Sequence, residues 1–224
     1  MRISEIQLLS DDLSATARFY TGVLGLKQVY LDEHTVSFIA GASVLTFVKS
    51  ENLSPVYHFA FNIPPLLLME ALAWTKARTV ILPVSDDGQE VADFVSWNAK
   101  AFYYKDNNGN ILEFIARYNL DVESAGPFDS SSIISISEIG IVRDDVIAER
   151  IRISETYGVP IFSKPPLPDN FTAIGDDQGL FILSKTHRPW HPNEVEARSY
   201  WSRTIFQSGT EAYELITETL TNHQ

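Results

Sequence analysis

The chain has no cysteine among its 224 residues. Structural disulfides, thiolate nucleophiles and cysteine-ligated zinc or iron–sulfur sites are therefore excluded. Basic residues are few: 17 Lys and Arg stand against 29 Asp and Glu, a net charge of -12. Such a surface repels nucleic acid and anionic membranes, so neither is expected as a partner. No apolar run approaches the ~18 residues of a membrane span, and the opening Met-Arg-Ile-Ser-Glu carries no apolar signal region. A Gly-rich phosphate loop and a Gly-x-Ser-x-Gly elbow are also missing. These absences predict a cytoplasmic globular protein whose partner is a small molecule. Apolar content of 45% is ordinary for that class, and the length suits one large or two small domains.

What is present is a repeat. Ile-Ser-Glu-Ile-Gln-Leu-Leu-Ser-Asp-Asp at 3–12 returns as Ile-Ser-Glu-Ile-Gly-Ile-Val-Arg-Asp-Asp at 136–145, with six of ten positions identical. Glu5 and Glu138 occupy matching places. Repetition sets architecture before any single motif does, and whatever one copy has and the other lacks is a candidate for function.

Each repeat opens a unit. Residues 3–9 read as a buried strand. Asp11 or Asp12 can cap a helix carrying Leu13, Ala17, Tyr20 and Leu24 on one stripe, and Gly25 can stop it. Three short strands follow, at 27–32, 35–40 and 43–49. The βαβββ order then restarts: a strand at 57–63, a helix opened by Pro64-Pro65, and strands at 79–84, 97–104 and 111–118. Lys-Asp-Asn-Asn-Gly-Asn makes the turn between the last two. Residues 121–133 are polar and read as a linker. A third, degenerate unit starts at Ile134, with a helix at 145–157, a short strand at 160–162 and a hairpin at 171–184. No fourth unit is visible, and 210–221 reads as a helix. The expected domains are 1–120 as paired modules around a cavity, and 134–224 as the third module with an irregular tail.

Five histidines exist. His34 falls in a turn and His223 near the end, so both read as solvated. His187 and His191 have a helical ligand spacing, but Pro189 and Pro192 forbid the helix, which leaves a surface loop. His58 is different. Strand alternation in Tyr-His-Phe-Ala-Phe-Asn puts His58, Ala60 and Asn62 on one face and Tyr57, Phe59 and Phe61 on the other. Glu113 and Glu5 also stand inside apolar strands, where a carboxylate is costly unless paired, hydrogen-bonded or metal-bound. Taken singly, each has an ordinary explanation: a histidine satisfied by a carbonyl, or an edge strand with one wet face. Together Glu5, His58 and Glu113 make a reasonable oxygen-and-imidazole site for a divalent ion.

Several motifs carry a family resemblance. Asp12-Leu13, Phe19-Tyr20 and Leu24-Gly25-Leu26 resemble the opening signature of the vicinal oxygen chelate superfamily, which includes glyoxalase I, extradiol dioxygenases and fosfomycin- or bleomycin-resistance proteins. Tyr57 to Phe61 resembles the start of its second module, and Asp106-Asn107-Asn108-Gly109-Asn110 through Glu113 resembles its turn-and-strand motif. The resemblance covers 1 to about 118, is weaker over 134–185 and fails beyond.

It implies an α+β fold in which tandem βαβββ modules cup a divalent metal. Two full modules are expected here, plus the degenerate third. The implied ligands are Glu5, His58 and Glu113. Glu5 departs from the usual His or Gln, and two carboxylates with one imidazole favour Mn, Zn, Ni or Mg over ferrous Fe. Thr46 stands where glyoxalase I needs a carboxylate, which disfavours lactoylglutathione lyase. The expected base is Glu5. Gln7, Asn62, Trp97, Asn98, Lys100 and Tyr103 are the expected cavity residues, with the acidic loop 85–95 as a lid. Glu138 has no visible counterpart of His58 and Glu113, so the third copy is expected to be structural, or to pair with a second subunit in a homodimer.

The implied function is a metal-dependent enzyme of lyase, isomerase or dioxygenase type acting on a small substrate with vicinal oxygens. The alternative is a metal-free small-molecule-binding protein of the resistance or sequestration type. One fold hosts both.

Overall fold

The computed structural model describes residues 1–122, 126–162 and 167–219. The first module runs β1 (Arg2–Ser10), α1 (Leu13–Arg18), β2 (Lys27–Leu31), β3 (Thr35–Ala40) and β4 (Ser43–Lys49). The second runs β5 (His58–Ile63), α2 (Leu68–Lys76), β6 (Ile81–Leu82), β7 (Ala92–Phe94), β8 (Ala99–Lys105) and β9 (Ile111–Arg117). The third holds β10 (Ser135–Arg143), α3 (Val146–Tyr157), β11 (Phe171–Asp176) and β12 (Gly179–Lys185), and a hairpin of β13 (Ser202–Ser208) and β14 (Glu211–Thr217) follows.

The repeated Asp-Asp has the same physical use in both copies. Asp12 accepts from the Ala15 N–H at 2.8 Å and Asp145 from the Ala148 N–H at 2.8 Å, so each caps the helix after its strand. Gly158, at φ 64, ends α3 as a left-handed cap.

Two sheets result, consistent with tandem βαβββ modules in an α+β fold. One has the order β14-β13-β1-β4-β3-β2, the other β11-β12-β10-β5-β9-β8-β6, with β7 also on β8. This corrects the expected pairing of the first two modules around one cavity. The second module shares its sheet with the third, because β10 pairs antiparallel with β5. The first module shares its sheet with the terminal hairpin, because β1 pairs antiparallel with β13. The two junctions match down to the irregularity, which falls between Ile3 and Glu5 in one and between Ile136 and Glu138 in the other. The chain itself thus completes the third module's sheet, the role considered for a partner subunit.

The helix expected over 210–221 is instead β14, with 220–221 outside the described residues. A two-residue period won over local helix propensity: Leu215 and Thr217 are buried while Glu214 and Ile216 are exposed, and β13 supplies the ladder. The strand expected at 79–84 shrinks to Ile81–Leu82, and 160–162 contributes only an isolated bridge, Ile161 to Ile174. Within the expected linker, Asp129 caps a single turn over Ser130–Ser132, and 123–125 lie outside the described residues, as does His223. Among the described residues no helix is long and apolar enough to cross a membrane.

The core lies between the sheets. Ile6, Leu8 and Phe47 come from one, and Phe59, Phe61, Phe114 and Phe181 from the other. Strand alternation then turns His58, Glu113 and Glu138 to the opposite face of the larger sheet. One buried turn holds β8 and β9 in register. Asp106 accepts from the Tyr20 hydroxyl (2.7 Å), the Asn110 side-chain amide (2.8 Å) and the backbone N–H groups of Asn108 and Asn110 (2.9 Å each). Asp106→Ala strands four donors, three of them buried, and should cost about 3 kcal/mol in urea unfolding. A loss under ~1 kcal/mol would mean that water replaces the carboxylate freely.

Candidate metal centre

Three adjacent strands build the site. β5 carries His58, β9 carries Glu113 and β10 carries Glu138. Register aligns them: Ala60 is opposite Glu113 on one side and Glu138 on the other, and His58 is two residues from Ala60 on the same face. His58 Nε2 lies 3.6 Å from Glu113 Oε2 and 3.8 Å from Glu138 Oε2. One ligand atom from each residue falls within 4.8 Å of the others, and all three residues are buried. His58 Nδ1 is 3.1 Å from the Ile111 carbonyl, which fixes the ring and leaves Nε2 toward the carboxylates. These are oxygen and imidazole donors, on one side of a pocket, at separations a divalent ion can bridge.

Two carboxylates this close in a buried place repel. Burial, and then Glu138 beside it, holds the Glu113 carboxyl well above the usual carboxylate range, with Arg117 opposing. Arg117 comes from the end of β9 and is fully buried. It pairs with Glu138 through Nη2, and its Nε donates to Ser137 Oγ at 3.2 Å. Its guanidinium lies 5.8 Å from the Trp97 ring centre and 5.7 Å from that of Phe162.

The cavity in front of the group is about 390 Å³. Phe94, Trp97, Phe171 and Trp190 give it apolar walls, with Tyr103, Arg188 and His191 as polar points. Trp190 belongs to a strap, residues 186–201, that folds on itself through Trp190 N–H to Val195 O (2.9 Å) and His187 N–H to Ala197 O (2.8 Å). The Trp190 ring centre lies 5.2 Å from that of His58. It can approach because residue 140 is glycine: a Cβ there would sit 2.7 Å from Trp190 Cη2.

Of the residues expected from sequence, His58, Glu113, Trp97 and Tyr103 meet here. Glu5 does not, and this corrects both its ligand role and its place as base. Glu5 lies on β1 in the other sheet, where its Oε1 accepts from Gln7 Nε2 (2.8 Å) and Thr46 Oγ1 (3.4 Å). Gln7, placed with it, is also away from the cavity. In that sheet Glu5 is opposite Ile205, Ile205 is opposite Glu214, and the position matching His58 is Arg203, already paired with Glu214. A permanent cation stands where the larger sheet has an imidazole. Asn62 lines a separate groove with Arg2 and Gln178, while Asn98 and Lys100 lie in a shallow surface with Tyr118. Lys100 pairs with Asp93 at 3.1 Å. The acidic loop is tied to α2 by Lys76–Glu90 at 2.7 Å, and it delivers Phe94 to the cavity through β7.

Glu138, Arg117, Trp190, Arg188 and His191 were missed. The repeat itself was the signal for Glu138. His34 is exposed beside Glu33, as expected, and His187 pairs with Glu196 outside. His191 instead reaches the cavity rim and meets Tyr103 edge to face at 5.3 Å.

A family model described as Glyoxalase/Bleomycin resistance protein/Dioxygenase superfamily matches residues 2–114, half of the chain. The protein belongs to that superfamily. It is similar to a "putative dioxygenase" from Bacillus subtilis subsp. subtilis str. 168, with a TM-score of 0.60 and 14% identity, over 96% of this chain and 84% of that one. That likeness establishes a shared fold across nearly the whole molecule. Shorter matches include a glyoxalase/bleomycin resistance protein/dioxygenase from Nocardioides, with a TM-score of 0.43 and 20% identity over 57% of this chain and 89% of that one. Another is the fosfomycin resistance protein FosX from Mesorhizobium loti, with a TM-score of 0.37 and 16% identity over 50% of this chain and 88% of that one. No curated protein matches.

Proposed function

We propose that this protein is a metal-dependent enzyme acting on a small substrate with vicinal oxygens, with His58, Glu113 and Glu138 as the ligands. The observation that carries the reading is the set of three buried donors within 4.8 Å of one another at the base of a cavity. A bound divalent ion would supply Lewis-acid stabilisation of an oxyanion or enolate. One imidazole and two carboxylates suit Mn, Zn, Ni or Mg better than ferrous iron. Arg117 holds Glu138 in place, and the aromatic walls exclude water from the reacting oxygens. With Glu5 in the other sheet, His191 is the base we propose. Partial burial, then His58 and Arg188, lower its pKa, so the ring is neutral and ready to take a proton near pH 7. Ile182 lies on β12 where Thr46 lies on β4. A lyase needing a fourth carboxylate there is accordingly disfavoured.

The second reading is a metal-free binding protein. Arg117 already neutralises Glu138, and Glu113 is held toward its protonated form, so the group is electrically satisfied without an ion. Metal content of protein purified without added metal, before and after a Mn(II) soak, decides between the two. We expect near one equivalent in the wild type and none in His58→Ala. No uptake by the wild type would leave the binding-protein reading.

The raised Glu113 pKa also sets a pH dependence. A folded-state pKa above the unfolded value of ~4.3 makes the native state bind more protons, so metal-free protein loses stability as pH rises through the raised value. A metal needs the ionised form, so its affinity climbs over the same range. Chemical unfolding and Mn(II) titration over a series of rising pH should show opposite slopes. Parallel slopes would sink the assignment.

A further inference from the structure

Among the described residues Arg188 is a cation without an anion. Its guanidinium lies 4.4 Å from the Phe171 ring centre, and its one hydrogen bond among the described residues is from Nη1 to the Pro189 carbonyl at 3.3 Å. No carboxylate pairs with it among the described residues, although acidic residues outnumber basic ones. It is half-buried, and burial lowers its pKa. It faces the same cavity as His58, Glu113 and Glu138, from the strap side. Phe94, Trp97 and Phe171 add flat apolar walls to the same cavity.

A half-buried guanidinium that the described residues leave without a carboxylate is suited to a ligand's anionic group, which it can grip with two parallel hydrogen bonds. The rings on either side suit a flat apolar body. We propose that Arg188 is the anion-binding residue of this cavity, and that its substrate class is a small aromatic compound carrying one carboxylate. The inference deepens the proposed function by naming the substrate class. It rests on the cavity being the substrate site, and the anion contact itself needs no metal.

The test compares 3-phenylpropanoate with 3-phenylpropan-1-ol, which share a body and differ in charge. Tryptophan fluorescence titration reads binding, since Trp97 and Trp190 line the cavity. Wild type, Arg188→Lys and Arg188→Gln are each measured with chelator and again with Mn(II), and Mn(II) binding is followed separately by paramagnetic resonance. Thermal melts confirm that the variants fold. We expect the wild type to bind the carboxylate about tenfold or more tighter than the alcohol. The ratio should fall toward one in Arg188→Gln and be partly kept in Arg188→Lys. Equal binding of the two probes by the wild type, no binding of either, or a preference that survives Arg188→Gln would overturn the proposal. A preference kept under chelator in protein that never takes up Mn(II) would remove the metal reading alone and leave the anion site standing.

Discussion

Glu138→Gln should abolish divalent metal binding, weakening Mn(II) by ~100-fold or more, while Glu5→Gln should leave it at the wild-type value. The two residues are matching members of a repeat, and the substitutions are chemically identical. Their surroundings separate them. Glu138 faces His58 Nε2 at 3.8 Å, with Glu113 on the next strand. Glu5 is held by Gln7, and the position in its sheet that matches His58 is Arg203, which is paired with Glu214. An amide in place of Glu138 removes one charge from the group and turns half of a carboxylate into a donor. Calorimetric titration of both variants at pH 7.5 would decide the matter. Equal loss in the two, or loss only in Glu5→Gln, would mean that the centre lies elsewhere.

Arg117→Met should be the most destabilising single change, at about 3–5 kcal/mol, because it leaves Glu138 buried without its partner. For a chain of this size that is a fall of roughly 10 °C in the unfolding midpoint. The measurement belongs at pH 8, where protonation of the stranded carboxylates gives the least relief. Two rescues follow from the same cause. Arg117→Met with Glu138→Leu should recover most of the loss, since the buried Glu138 charge is removed together with its partner. Mn(II) should also raise the midpoint of the single variant, by more than it raises the wild type, if the ion takes over the neutralising role. A small loss with neither rescue would show that Arg117 contributes by packing alone.

Much of the first half was legible because its signals are local. Strand alternation at 57–63 placed Phe59 and Phe61 in the core and His58 in the cavity. The Asp-Asp pairs located both helix starts, and the Asn-Gly turn located β8 and β9. What sequence could not supply was which strand lies beside which. Two copies of Ile-Ser-Glu-Ile offer two carboxylates, and only the pairing of β10 with β5 selects Glu138. The local difference between the copies was nevertheless visible, Gln7 against Gly140. Gln7 occupies its neighbouring carboxylate with a hydrogen bond, whereas Gly140 has no side chain to do so and admits Trp190. The strap was illegible for a different reason. Its residues follow no period, and their placement depends on contacts distant in sequence, such as Arg143 Nη1 to Ser199 Oγ at 3.1 Å.

That strap leaves β12 in one sheet and delivers β13 to the other, and on the way it sets Arg188 and Trp190 into the cavity wall. Wall and tether are therefore one stretch of chain. A protease that nicked it would open the pocket and sever the covalent hold on the last two strands of the neighbouring sheet in a single cut. A compound seated against Trp190 would guard both at once, so occupancy of one half of the molecule would extend the lifetime of the whole.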